Sequence, residues 1–214
     1  MLYTRTIKPA TLELLKSLQN KDYLKGFNLA GGTALALYMG HRTSIDIDLF
    51  SNFNFDAAQL LELIQQDYPL QLYFTAQNTL KGSIENVNVD ILAHRYPYLN
   101  EPADIDGFRI LSEPDIIAMK LNAICTSGQR SKDFVDIYFI LEKSVFSISD
   151  MLKFYQKKYS QNNDMHVIKS LMFFDDVDLS DWPVLLRKPN LKWTEISERI
   201  EKEVLLFLKK YKEL

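Results

Sequence analysis

The chain has 214 residues, 47% of them hydrophobic and 25% charged, with a formal net charge of −3 and a single cysteine, Cys125. That composition fits a soluble globular protein with a true core and excludes a disordered chain, a disulfide scaffold, a cysteine-cluster zinc site and a uniformly basic nucleic-acid coat. The opening "MLYTRTIKPATLELLKSL" lacks the apolar stretch and cleavage site of a signal peptide, and no run of about 18 apolar residues predicts a membrane span. A cytoplasmic setting is therefore expected.

In chain order, Pro9 to Gln19 predicts a first helix, with Pro9 early and Leu12, Leu14, Leu15 and Leu18 as its stripe. Phe27 to Ala30 predicts a short strand that runs into Gly31-Gly32. Thr33 to Met39 predicts a short helix with Thr33 as a cap and Gly40 as its stop. Ser44 to Phe50 alternates Ile45, Ile47 and Leu49 against Asp46, Asp48 and Phe50, the period-two pattern of a strand. Asp56 to Tyr68 predicts an amphipathic helix capped by Asp56. Strands follow at Leu70 to Ala76, Thr79 to Glu85 and Val87 to Ala93, the last two joined by a hairpin near Asn86, with a further strand at Phe108 to Leu111.

After Pro114 the period changes to that of a helix. "EPDIIAMKLNAICTSG" predicts one helix and "SKDFVDIYFILEKS", capped by Ser131, a second; Asp150 to Tyr159 and Thr194 to Tyr211 predict two more. Residues 160–192 read as irregular. The expected class is α+β: a mixed sheet flanked by helices over 1–112, then a helical region over 113–214 that completes an active-site cleft.

Four features could carry chemistry. The glycine pair Gly31-Gly32 permits close backbone approach, and helix-start N–H groups at Thr33 and Ala34 suit a phosphate; alone it is also an ordinary turn. Asp46 and Asp48 fall on one side of a strand, where Mg²⁺ would relieve their repulsion; alone they also suit a solvated strand face. Asp90 in "NVNVDIL" offers a third carboxylate, or an edge acid that discourages pairing. Lys120 lies among apolar residues, and Asp136 falls on an apolar helix face that calls for a cationic partner, Lys120 or Arg130. His41, His94 and His166 lack metal-like spacing, and "LMFFDD" near Phe173 reads as packing.

The order "GGTALAL…HRTSIDIDLF", followed by "AMKLNAI" and "RSKDFVDIYFI", resembles the AbiEii/AbiGii toxin family of nucleotidyltransferases, of the DNA polymerase β-like superfamily. The resemblance covers roughly Leu29 to Leu141. It implies a nucleotidyltransferase-type sheet and transfer of a nucleotide from an NTP, with Mg²⁺ or Mn²⁺, to an acceptor hydroxyl, in some members the 3′ end of tRNA. It implies catalytic roles for Asp46, Asp48, Asp90, Lys120 and Asp136. It places Gly31, Gly32, Thr33, Arg42, Ser44, Lys120 and Arg130 on the nucleotide, and metal on Asp46, Asp48 and Asp90. A separately encoded antitoxin is the implied partner. The alternatives are a non-catalytic nucleotide- or RNA-binding relative, or nucleotidylation of a protein or small molecule.

Overall fold

The computed structural model describes residues 1–212 and divides the chain into two units, Met1–Ser112 and Glu113–Leu214.

The first unit carries α1 (Pro9–Gln19), β1 (Asn28–Leu29), α2 (Gly31–Met39), β2 (Ile47–Ser51), α3 (Ala57–Asp67), β3 (Gln71–Ala76), β4 (Thr79–Ile84), β5 (Val87–Ala93), β6 (Ala103–Ile105) and β7 (Phe108–Ile110). Its seven strands form one mixed sheet in the order β3-β4-β5-β2-β1-β7-β6. β2 runs parallel to β5 and antiparallel to β1, and β1 runs parallel to β7. Alternation sorts the central strands into two faces. Ile47 and Leu49 of β2 and Val89 and Ile91 of β5 are buried, as are Leu15 and Leu18 of α1, Leu35 and Leu37 of α2 and Leu60 and Ile64 of α3. The intervening residues, Asp48 and Phe50, Asp90 and Leu92, stay partly exposed on the other face.

The caps explain several boundaries. Asp56 accepts from Ala58 N–H at 2.9 Å and Gln59 N–H at 3.1 Å, the expected start of α3. Glu85 and Asn86, with φ of 50° and 64°, form the two-residue turn of the β4–β5 hairpin, a geometry Asn tolerates well. β6 was not expected; Asp106 and Gly107 turn it into β7. At the opposite edge β3 is exposed along its whole length.

Two expectations fail here. The aspartate strand does not begin at Ser44: it begins at Ile47. Ser44 N–H donates to Thr6 C=O at 2.9 Å, and Asp46 C=O accepts from the Thr33 hydroxyl at 2.5 Å, so these groups pair outside the ladder. Nor does Thr33 cap α2. The helix begins at Gly31, and Thr33 sits buried in its first turn, bound to the aspartate loop instead.

The second unit carries α4 (Glu113–Thr126), α5 (Ser131–Lys143), α6 (Ile148–Tyr159), α7 (Asp164–Leu171) and α8 (Trp193–Lys212). α5 is buried from Asp133 through Leu141, so it is the central helix of the unit. Arg130, not Ser131, holds the cap position of α5, and no side chain caps it. The segment expected to be irregular contains α7. It is further pinned by Phe174, whose ring meets Phe134 at 5.7 Å and Trp193 at 5.9 Å between centroids.

Candidate active site

The sheet brings Asp48 and Asp90 side by side. They are direct register partners on the parallel pair β2–β5, so their side chains leave the same face of the sheet. Asp46 precedes β2 by one residue; its Oδ1 accepts from Asn88 Nδ2 at 2.9 Å, and Asn88 lies two residues before Asp90 on the same face. All three carboxylates therefore lie along one seam. Lys81, the β4 register partner of Asp90, forms an ion pair with it and balances its charge. Asn88 and Lys81 escaped the sequence reading, although each sits on the carboxylate face at the right alternation.

α2 starts against this seam. Gly31 has φ of +66°, a conformation that L side chains rarely adopt. A β-carbon there would also run into the Asp48 carboxylate, 2.9 Å from its Cγ. At Gly32 a β-carbon would strike the Arg42 guanidinium. Thus the backbone of the glycine pair is approached by an anion on one side and a cation on the other. Helix geometry leaves the first N–H groups of α2 without intrahelical acceptors, at the positive end of the helix dipole. Ala34 is not among them, because its N–H donates to Ala30 C=O at 3.3 Å. Thr33 Oγ1 lies 2.8 Å from Ser44 Oγ, which fixes the Ser44 loop beside the helix start. Arg42 is 3% exposed, its Nη1 donating to Thr43 C=O at 3.1 Å, so it stiffens this corner from behind.

In the helical unit, Lys120 is 4% exposed. Its Nζ lies 2.7 Å from Asp133 Oδ1 and 2.8 Å from Asp136 Oδ2. The Arg130 Nη2 lies 3.2 Å from Asp133 Oδ1, with the Arg130 side chain 63% exposed. Two buried carboxylates are thus matched by two cations, one buried and one open to solvent. Of the two cationic partners expected for Asp136, Lys120 or Arg130, it is Lys120 that lies within ion-pair distance at 2.8 Å. A second buried pair, Lys158 to Asp115 at 2.7 Å, ties α6 to α4; the 43 residues between them hid it from sequence reasoning.

The donor set suits Mg²⁺. Asp46 and Asp48 carry hard carboxylate oxygens of the kind Mg²⁺ takes, and the missing β-carbon at Gly31 leaves the backbone close to Asp48. Among the described residues no group of three or more His, Cys, Asp or Glu forms a cage by itself. Mg²⁺ commonly takes one or two carboxylates and completes its shell with substrate phosphates and water.

The architecture matches solved nucleotidyltransferase-type folds. JHP933 of Helicobacter pylori superposes with a TM-score of 0.54 at 20% identity, over 97% of this chain and 95% of that one. A second H. pylori chain, solved as a proposed nucleotidyltransferase, gives 0.54 at 18% identity, over 96% and 98%. The chain is also 28% identical over 208 residues to the Aquifex aeolicus (strain VF5) protein aq_aa25, covering 95% of this chain and 98% of that protein. Residues 13–106 and 66–212 match the family described as nucleotidyl transferase AbiEii toxin, type IV TA system. The chain belongs to that family. No helix among the described residues is long and apolar enough to cross a membrane.

Proposed function

We propose that the protein transfers a nucleotide from an NTP to an acceptor hydroxyl, with RNA, such as the 3′ end of tRNA, as the acceptor. One observation carries this reading: Asp48 and Asp90 are register partners on adjacent parallel strands, with Asp46 one step away and the Gly31 backbone against Asp48. A solvated strand face needs neither a left-handed glycine packed against the acid nor the convergence of acids from two strands.

Asp46 and Asp48 would hold Mg²⁺, which supplies charge stabilisation to the phosphates when bound. The N–H groups of Gly31 and Gly32, with the Ser44 hydroxyl, receive the triphosphate. Asp90 takes the proton of the acceptor hydroxyl, and Lys81 holds its carboxylate in place beforehand. The acceptor oxygen bonds to the α-phosphorus, the bond from that phosphorus to the bridging oxygen breaks, and pyrophosphate leaves. Within the helical unit, Lys120 holds Asp133 and Asp136 in position, and Arg130 keeps a solvent-open guanidinium against Asp133. Thr33 and Arg42 fix the cradle. A cognate antitoxin encoded elsewhere fits the family.

The test incubates the protein with each labelled NTP, Mg²⁺ or Mn²⁺, and either total RNA or a protein extract. Label should enter RNA, and Asp48→Ala should abolish its entry without loss of the fold. Undiminished transfer by Asp48→Ala, or label in protein only, would overturn the mechanism or the acceptor respectively.

A further inference from the structure

The seam that carries the acids continues into an aromatic ledge. Phe50 follows Asp48 by two residues on β2, so it leaves the same face about 7 Å further along the strand. His94 N–H donates to Ser51 C=O at 2.7 Å, which prolongs the β2–β5 pairing by one step beyond Ala93. His94 therefore follows Asp90 and Leu92 on that face. Its ring lies 6.0 Å from Phe50 and 4.8 Å from Tyr96 between centroids. The loop is tied down beyond the ledge as well: Asn28 Nδ2 donates to the Tyr98 hydroxyl at 3.2 Å. Tyr96, the outermost ring, is 43% exposed. Three rings in series, Phe50 on β2 and His94 and Tyr96 on an anchored loop, ending in a solvent-open tyrosine, form a stacking platform of the kind single-stranded nucleic acids use.

Its position relative to the acids selects the occupant. Along the β2 segment the order is Ser44, Asp46, Asp48, Phe50. Under the proposed function the triphosphate lies at the Ser44 and α2 end. In-line displacement places the attacking hydroxyl opposite the leaving pyrophosphate. The acceptor strand then approaches from the Phe50 end, where Asp90 and His94 belong to one strand and its extension. We propose that Phe50, His94 and Tyr96 stack the terminal base of the RNA acceptor and so seat its 3′ hydroxyl beside Asp90. This inference rests on the proposed nucleotidyl transfer to RNA.

The experiment uses the full chain and an RNA with a single-stranded 3′ end terminating in 2-aminopurine, whose fluorescence is quenched on stacking. Wild-type protein should quench the probe. Tyr96→Ala and His94→Ala should weaken binding about tenfold and restore much of the emission, while Tyr96→Phe keeps both. In transfer assays Tyr96→Ala should raise KM for RNA about tenfold with KM for NTP unchanged. Because Tyr96 is partly exposed, its truncation should leave the melting temperature near that of wild type. Quenching and affinity unaltered in both alanine variants would overturn the ledge while leaving transfer to RNA intact. A rise in KM for NTP alone would assign the rings to the nucleotide's own base and overturn the acceptor assignment. Failure of the wild-type chain to bind the probe or to label any RNA would overturn both the ledge and the RNA reading.

Discussion

A methyl group added at Gly31 meets two obstacles, a left-handed backbone and the Asp48 carboxylate. The first costs about 1–2 kcal/mol by itself, so Gly31→Ala should lose at least that in urea unfolding. The steric part should vanish in an Asp48→Ala background; equal losses in both backgrounds would mean the two groups are not packed together. Asp48→Asn keeps the shape but removes the charge, and transfer should fall by at least about a hundredfold. In the helical unit magnitudes separate the buried Lys120–Asp136 pair from the open Arg130–Asp133 pair. Asp136→Ala leaves Lys120 short of a partner in the interior and should cost about 3–5 kcal/mol. Arg130→Ala removes a largely exposed guanidinium and should cost less than about 1 kcal/mol of stability. A large stability loss for Arg130→Ala would contradict its reading as a solvent-open partner of Asp133. The acids were legible because alternation alone places Asp46, Asp48 and Asp90 on partly exposed faces. That Asp48 and Asp90 are register partners was not, since strand order across a sheet is not written in any local pattern.

At the scale of elements, α6 shows how a start signal works. Ser147 and Asp150 form a reciprocal capping box: Asp150 Oδ2 accepts from the Ser147 hydroxyl at 2.6 Å and from its N–H at 3.0 Å. These bonds, the hydroxyl first, hold the Asp150 carboxyl below its ordinary value. A depressed folded value means the box stabilises the protein above the unfolded value near about pH 4 and loses that contribution as pH falls through it. Ser147→Ala should therefore cost about 1 kcal/mol at neutral pH, and the gap from wild type in urea unfolding should narrow at about pH 3. α1 and β5 were readable to the residue, because proline, apolar spacing and alternation agree there. Elsewhere a local signal was present but misjudged. Asp106-Gly107 is a hairpin signature, yet the three-residue β6 before it is too short to show a period. α7 is capped by Asn163, which accepts from His166 N–H at 3.1 Å, inside a stretch whose prolines and acids suggested only loop. Thr33 and Ser131 look like caps in isolation; tertiary partners claimed Thr33, and Arg130 precedes Ser131 in the cap position.

For the whole molecule, the charge balance of −3 says little about RNA, because the residues that matter are few and local. Binding of Mg²⁺ gives a reading independent of any acceptor. Ligands that favour the folded state raise its melting temperature. Millimolar Mg²⁺ with an NTP should raise that of wild type and leave that of an Asp46→Asn, Asp48→Asn double variant unmoved. An equal rise in both would place the metal elsewhere.

The parallel pairing of β2 with β5 has one more consequence, in time rather than space. Between the two strands the chain must lay down α3, β3 and β4 before β5 can add beside β2. A nascent chain that has emerged only through β2 carries Asp46 and Asp48 but has no Asp90 to set beside them. The site is thus assembled by a non-local closure, the slow kind of folding step. Its register matters as much as its arrival: a slip of one residue along that seam would turn Asp90 into the apolar layer and bring Val89 or Ile91 to Asp48. The protein gains its full set of carboxylates only when the sheet is correctly closed.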